Sequence, residues 1–380
     1  MNATFLSQRL STFAGAMVLS IFSGVANSTP ADAALQAGAA KVDITSPEAG
    51  PVNGRLHARA LVISDGQTTT AIVTLDVVAI GEIGHIDNEF LPTVRRRVEE
   101  GLKIPPQHVM INASHCHGIP CKDADEKTIQ AIEQAYSNMV PVKAGCGTGH
   151  ENRIQENRRL IMKDGREIDV RHAYSLPPDD EVAEVGPIDP EIGILRLDDV
   201  QGRPVAVVYN FACHPIQGVP GGLNTADITG FASEVIEDNL GEGTVALFVQ
   251  GCGGDINPAY YKDVDHPRDA EPLGNRLGLS TLKGVRQIEC RAEPELKVIN
   301  EILTLPRADY AEAIARLESE QVRLLRSLRG TSLNLKTFLP LAVKYNLSEQ
   351  FPSYYSHRYL QEAQIGRQDL KALDAENRRN

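Results

Sequence analysis

Residues 109–120, VMINASHCHGIP, break off an apolar run with two histidines two residues apart, followed by Gly118 and Pro120. Val109, Ile111 and Ala113 alternate with bulkier or polar neighbours, so the run reads as a short buried strand. Side chains at i and i+2 of a strand share a face. His115 and His117 are thus expected to project together from the strand's end, where an open α/β sheet carries its site. Two adjacent imidazoles suit a divalent metal, or one metal ligand beside one acid/base group.

The same pattern recurs. Residues 205–215, VAVVYNFACHP, form a nearly continuous apolar strand that ends at His214-Pro215. Residues 245–250, VALFVQ, run into GCGGDINP, from which Asp255 and Asn257 emerge. Glycines after a strand let backbone approach a ligand closely. Two strands that each end in a histidine point to one shared site. Asp255 also reads as the cap of a following helix.

The intervening chain supplies the rest of an α/β fold. A strand around Val42 and Ile44 enters the domain, and strands at 58–63 and 69–78 flank the turn Ser64-Asp65-Gly66-Gln67. Asp76, near the second strand's end, reads as a turn or capping residue. Apolar residues at helical spacing predict helices over 89–102, 125–139, 273–285 and 310–328. Asn224, Asp227 and Thr229 offer N-cap chemistry to another, ending at Leu240. A hairpin is expected from 192–197 and 204–211, an exposed loop over 176–191, and a further strand over 296–305. The glycine-rich GCGTGH, 145–150, lacks the spacing of a phosphate loop and reads as a plain turn. The expected class is α/β, a layered mixed β-sheet core with flanking helices and a helical C-terminal segment. The expected divisions are a signal peptide over 1–33, an α/β domain over 34–305 and the helical segment over 306–380.

A net charge of −12 over 380 residues argues against nucleic acid as a partner, and the absence of Trp argues against broad stacking platforms. Arg9 followed by the apolar stretch 13–26 and then Ala31-Asp32-Ala33 has the form of a secretory signal, so a secreted or periplasmic location is expected. The stretch is short for a bilayer span. An exported chain could pair its six cysteines, but their spacing is not that of a zinc finger. Cys116, Cys213 and Cys252 lie inside the motifs above. They read as small buried side chains beside a site, or as thiolate ligands.

Taken in order, the strand-end motifs resemble those of the neutral/alkaline non-lysosomal ceramidase family. Its His-Thr-His-Ser-Gly-Pro stands here as His115-Cys116-His117-Gly118-Ile119-Pro120. Its His-Pro strand end stands as His214-Pro215, and its Gly-Asp-Val-Ser-Pro-Asn loop as Gly254-Asp255-Ile256-Asn257-Pro258-Ala259. GAAKVDITSP, HARALVI, Asn157-Arg158-Arg159 and NTADITGFAS support the resemblance, which runs from about Gly38 to about Arg291. It implies a zinc amidase that cleaves the N-acyl bond of ceramide. His115 and His214 would be metal ligands and His117 a stabiliser of the oxyanion, while Asp255 and Asn257 would stand in the catalytic loop. It also implies a small-molecule or lipid substrate, with peripheral membrane contact through that lipid.

Two departures qualify the resemblance. Asn257 occupies the family's Ser position, and an amide cannot be activated as a hydroxyl nucleophile. A water acidified by the metal remains open as the attacking group. The family's Pro-Gly-Glu and Asn-Asp-Tyr motifs, which complete its metal shell, have no match after Arg291, so a C-terminal segment is expected to be missing. Asp255, Asp227, Asp76 or Cys116 could substitute as ligands. The main expectation is an exported metal-dependent hydrolase of an amide or ester bond. The alternatives are an impaired or truncated relative acting as a binding protein, and a phosphate- or nucleotide-binding protein using its two glycine-rich loops.

Overall fold

The structure is a computed structural model that describes residues 35–327, apart from 172, 174, 175, 264 and 294. Its first half contains β1 (Gln36–Asp43), β2 (His57–Ser64), β3 (Thr69–Leu75), α1 (Phe90–Leu102), β4 (Val109–Ala113) and α2 (Ala124–Ser137). The next segment contains β5 (Val140–His150), β6 (Gln155–Asn157), β7 (Arg159–Met162), β8 (Glu167–Asp169) and β9 (Val182–Val185). The remaining elements are β10 (Glu191–Asp199), β11 (Pro204–Phe211), α3 (Asp227–Leu240), β12 (Val245–Gln250), β13 (Ile256–Pro258), α4 (Glu271–Val285) and α5 (Ala311–Ser327).

The element order contains a duplication. Three antiparallel strands, a crossover helix, a parallel fourth strand and a second helix occur first as β1-β2-β3-α1-β4-α2. They recur as β5-β10-β11-α3-β12-α4, with β6–β9 inserted. The sheet order β12-β11-β10-β5-β1-β2-β3-β4 mirrors itself about the β1/β5 junction. That junction is brief, pairing only Gln36 with Pro141 and Ala37 with Val140. The two four-stranded halves therefore fold against each other, as strand alternation records. Ala58, Ala60 and Val62 face the first half's helices, while Leu61 and Ile63 pack with Ala206, Val245 and Leu247 of the other half. Ala246 and Phe248 turn outward to α3 and α4. The result is a helix–sheet–sheet–helix layering, the expected α/β class.

A charged group crosses the layer between the sheets. Arg59 of β2 is fully buried, bonds the Asp76 carboxylate and lies 3.6 Å from Glu237 of α3. Glu237 also takes a 2.5 Å contact from Lys41 and an N–H bond from Ala246. Asp76 is thus an interior ion-pair partner, not the capping residue expected. It also accepts the backbone N–H of His57 at 2.9 Å.

Burial, reinforced by the Arg59 charge, pulls the His57 imidazole down to about 4. The folded value lies below the unfolded one of about 6.5, so the unfolded chain takes up the proton first. This contribution is complete above about pH 6.5 and lost as pH falls toward 4, with roughly 3 kcal/mol as an upper bound. Thermal unfolding between pH 7 and 4 is expected to show a fall in Tm that His57→Gln flattens. An unchanged pH slope in that variant would remove this assignment.

The expected helices form at their predicted positions. Two local expectations do not hold. GCGTGH is part of strand β5, not a turn. Its glycines alternate on one face because the segment after α4 lies against it. A Cβ at Gly145 would meet Ile288 Cγ2 at 2.6 Å and Glu289 O at 2.7 Å. The strand expected over 296–305 is absent: Leu296 N–H bonds Asp65 at 2.9 Å, and the chain then runs exposed without a ladder partner. The 176–191 loop is partly ordered, since β9 within it completes a small sheet with β7 and β8. The proposed signal peptide and the C-terminal segment from 328 lie outside the described residues. No described helix is long and apolar enough to cross a membrane.

Candidate metal centre

The parallel pairs β3/β4 and β11/β12 bring their C-terminal ends to one place. His115 follows β4, but strand alternation does not orient it. The strand ends at Ala113, and His115 adopts φ +66, a left-handed conformation uncommon outside glycine. Its backbone N–H donates to Val77 O at 3.0 Å and its Nδ1 lies 2.6 Å from Val78 O, both in the segment after β3. That turn, held by neighbouring carbonyls, positions the ring. Strained backbone of this kind persists only where its surroundings over-determine it.

His214 follows β11. Its backbone N–H donates to Ile256 O at 2.9 Å, and its Nδ1 lies 3.3 Å from Gly253 O in the loop after β12. In both residues a backbone carbonyl faces Nδ1. A proton held there leaves Nε2 bare as the electron-pair donor, an arrangement that favours metal binding.

The rings of His115 and His214 are 4.3 Å apart between centroids. His117 completes the group at 5.6 Å from His115 and 5.5 Å from His214. One nitrogen from each of the three lies within 4.8 Å of the others, so the three could hold one metal ion. Burial pushes the His214 imidazole down to about 4, and the neighbouring His115 charge pushes the same way. Burial and then His115 also lower His117. With their imidazoles resisting protonation, His214 and His117 are available as neutral ligands near neutral pH. Three imidazole nitrogens are a donor set that fits zinc, as it would other first-row divalent ions.

The other expected site residues lie around this group. Asp255 pairs with Arg159 at 3.0 Å and caps no helix, because β13 follows it directly. Its backbone O accepts from Arg158 N–H at 2.8 Å, which ties β7 and its small sheet to the site loop. Asn257 is buried on β13, one residue from the carbonyl that holds His214. Its Nδ2 is 3.5 Å from Arg171 O, and its Oδ1 has no protein partner. Cys116 and Cys213 are buried thiols that burial pushes well above the usual range, and neither belongs to the metal-capable group. Asp76 and Asp227 are interior carboxylates engaged elsewhere. A cavity of about 600 Å³ opens at the other end of β12, lined by Lys41, Asn138, Glu237 and Glu242 among others, away from the histidines.

No protein-family model matches the chain. Solved structures match in fold. A ceramidase complexed with C2 superposes with a TM-score of 0.55 at 20% identity, over 67% of this chain and 44% of that one. The neutral ceramidase from Pseudomonas aeruginosa gives 0.54 at 20% identity, over 67% and 45%. The chain spans less than half the length of either structure. In fold, then, this protein is ceramidase-like over about two thirds of its length.

Proposed function

We propose that this protein is an exported, zinc-dependent hydrolase that cleaves an amide bond of the ceramide N-acyl kind, or an ester. The convergence of His115, His117 and His214 from two strand ends carries the reading. The fold likeness to ceramidases supports a lipid or other small-molecule substrate. His115 and His214 would hold the ion through Nε2, each ring fixed by a carbonyl at Nδ1. His117 would be the third ligand, in place of the oxyanion-stabilising role that the motif resemblance implies. A bound zinc ion would acidify water toward neutrality and polarise the scissile carbonyl. Asn257 supplies no nucleophile; its unpartnered Oδ1 accepts hydrogen bonds only. Arg159 pairs with Asp255 at 3.0 Å in the site loop.

The roles of the histidines separate experimentally. His117→Ala is expected to lose stoichiometric zinc together with activity. Retained zinc with a collapsed kcat would return His117 to oxyanion stabilisation. For the function itself, purified protein is assayed for hydrolysis of N-acyl and ester substrates before and after chelation. Chelation is expected to stop turnover and added zinc to restore it. Turnover insensitive to chelators would reject the proposal. Asn257, in place of a hydroxyl, also favours a second reading, a zinc-holding binding protein without turnover. Stoichiometric zinc with no hydrolysis of any acyl substrate would select it.

A further inference from the structure

Asp227 is buried, carries a carboxylate and has φ +55, again left-handed for a residue other than glycine. It is the first residue of α3, whose N-cap is Ala226, and its carboxylate reaches beyond that helix. Oδ1 accepts the N–H of Ile228 at 2.9 Å and of Gln217 at 3.0 Å, and Oδ2 accepts the N–H of Gly218 at 2.7 Å. Its own N–H donates to Thr225 Oγ1 at 2.9 Å. Gln217 and Gly218 close the segment that begins at His214. At its start that segment is tied by His214 N–H to Ile256 O, and in its middle by Ile216 N–H to His214 O. The far end is held by Asp227. Gly218 sits so close that a Cβ there would lie 3.3 Å from Asp227 Oδ2 and 3.2 Å from Thr225 Cγ2.

We infer that Asp227 is a positioning residue for His214, fixing the 214–218 segment so that the His214 ring keeps Nδ1 on Gly253 O and turns Nε2 to the histidine cluster. The inference rests on the metal reading above. Groups hydrogen-bonded directly to a ligand typically carry 10–100-fold in metal affinity, and Asp227, acting through the backbone of Gln217 and Gly218, is expected at the lower end of that range. Of the two oxygens, only Oδ2 serves Gly218. Asp227→Asn with its amide oxygen at the Oδ1 position keeps the bonds to Gln217 and Ile228. It also sets an N–H₂ against the Gly218 N–H, which releases one end of the segment. Burial raises the Asp227 carboxyl to about 6, so the charge itself is already disfavoured in the folded protein.

The test compares the full-length wild type with Asp227→Asn and with Asp227→Gly. The glycine variant keeps the left-handed backbone and removes all three acceptor bonds. Zinc affinity is measured by chelator competition, and the tautomer of the His214 ring by ¹⁵N NMR on metal-free protein. In folded variants zinc is expected to bind about 10-fold more weakly. The His214 ring is expected to shift from a single Nδ1–H tautomer to a mixture. Unchanged affinity and tautomer in folded variants would overturn the inference. Loss of fold in both variants would also overturn it, because Asp227 would then serve the fold as a whole. A wild type that binds no zinc would instead overturn the proposed function, and the tautomer measurement would still decide the role of Asp227.

Discussion

Replacing His115 with Ala is expected to abolish stoichiometric zinc binding and to cut hydrolysis by about 10³-fold or more, since the metal's share of transition-state stabilisation is several kcal/mol. His214→Ala is expected to do the same. The two rings are the closest pair of the cluster, at 4.3 Å, and each has a carbonyl partner at Nδ1. Removing either leaves two imidazoles, fewer than the three protein ligands of a typical catalytic zinc site. The double variant is expected to be no worse than either single, because residues acting as a unit are not additive. Chelator competition and steady-state rates check both statements. A single variant that keeps full metal content and rate would show that the histidine cluster is not the catalytic centre.

Arg59→Met is expected to destabilise the protein by about 3–5 kcal/mol, the usual cost of removing one partner from a buried ion pair. That is a large fraction of the total stability of a typical domain. The substitution leaves Asp76 buried with only the His57 N–H, and Glu237 with Lys41 and the Ala246 N–H. The effect is expected to reach the site. Asp76 directly precedes Val77 and Val78, whose carbonyls hold the backbone and ring of His115. Removing the Asp76 charge as well, as Arg59→Met with Asp76→Leu, is expected to recover part of the loss, because Asp76 no longer carries a buried charge while Glu237 keeps Lys41. Urea unfolding monitored by circular dichroism measures each step. An Arg59→Met midpoint equal to wild type would show that the buried pair contributes little.

Much of the local structure was legible in the chain because it follows from periodicity. The helix at 90–102 and the strands around 109, 205 and 245 can be read from apolar spacing, and the histidines at two strand ends mark the residues that the fold brings together. What escaped was non-local. The duplication of six elements appears only when strand order is known, since β6–β9 interrupt the second copy. The glycines of β5 read as a turn in sequence because the segment that covers them, 288–289, lies far along the chain. Asp76 looked like a cap because its partners stand far away in sequence, at 59 and, through Arg59, at 237. His115 and His117 do lie side by side, but a left-handed turn and two carbonyls orient His115, not strand alternation. Nothing in the residue pattern around Asp227 distinguished a helix cap from a hold on the His214 segment.

Calorimetric titration of zinc into metal-stripped protein tests the three-histidine centre most directly. One saturable site per chain is predicted for the wild type, and none for His115→Ala. A wild type without a saturable site, or a His115→Ala variant that binds zinc as the wild type does, would contradict it.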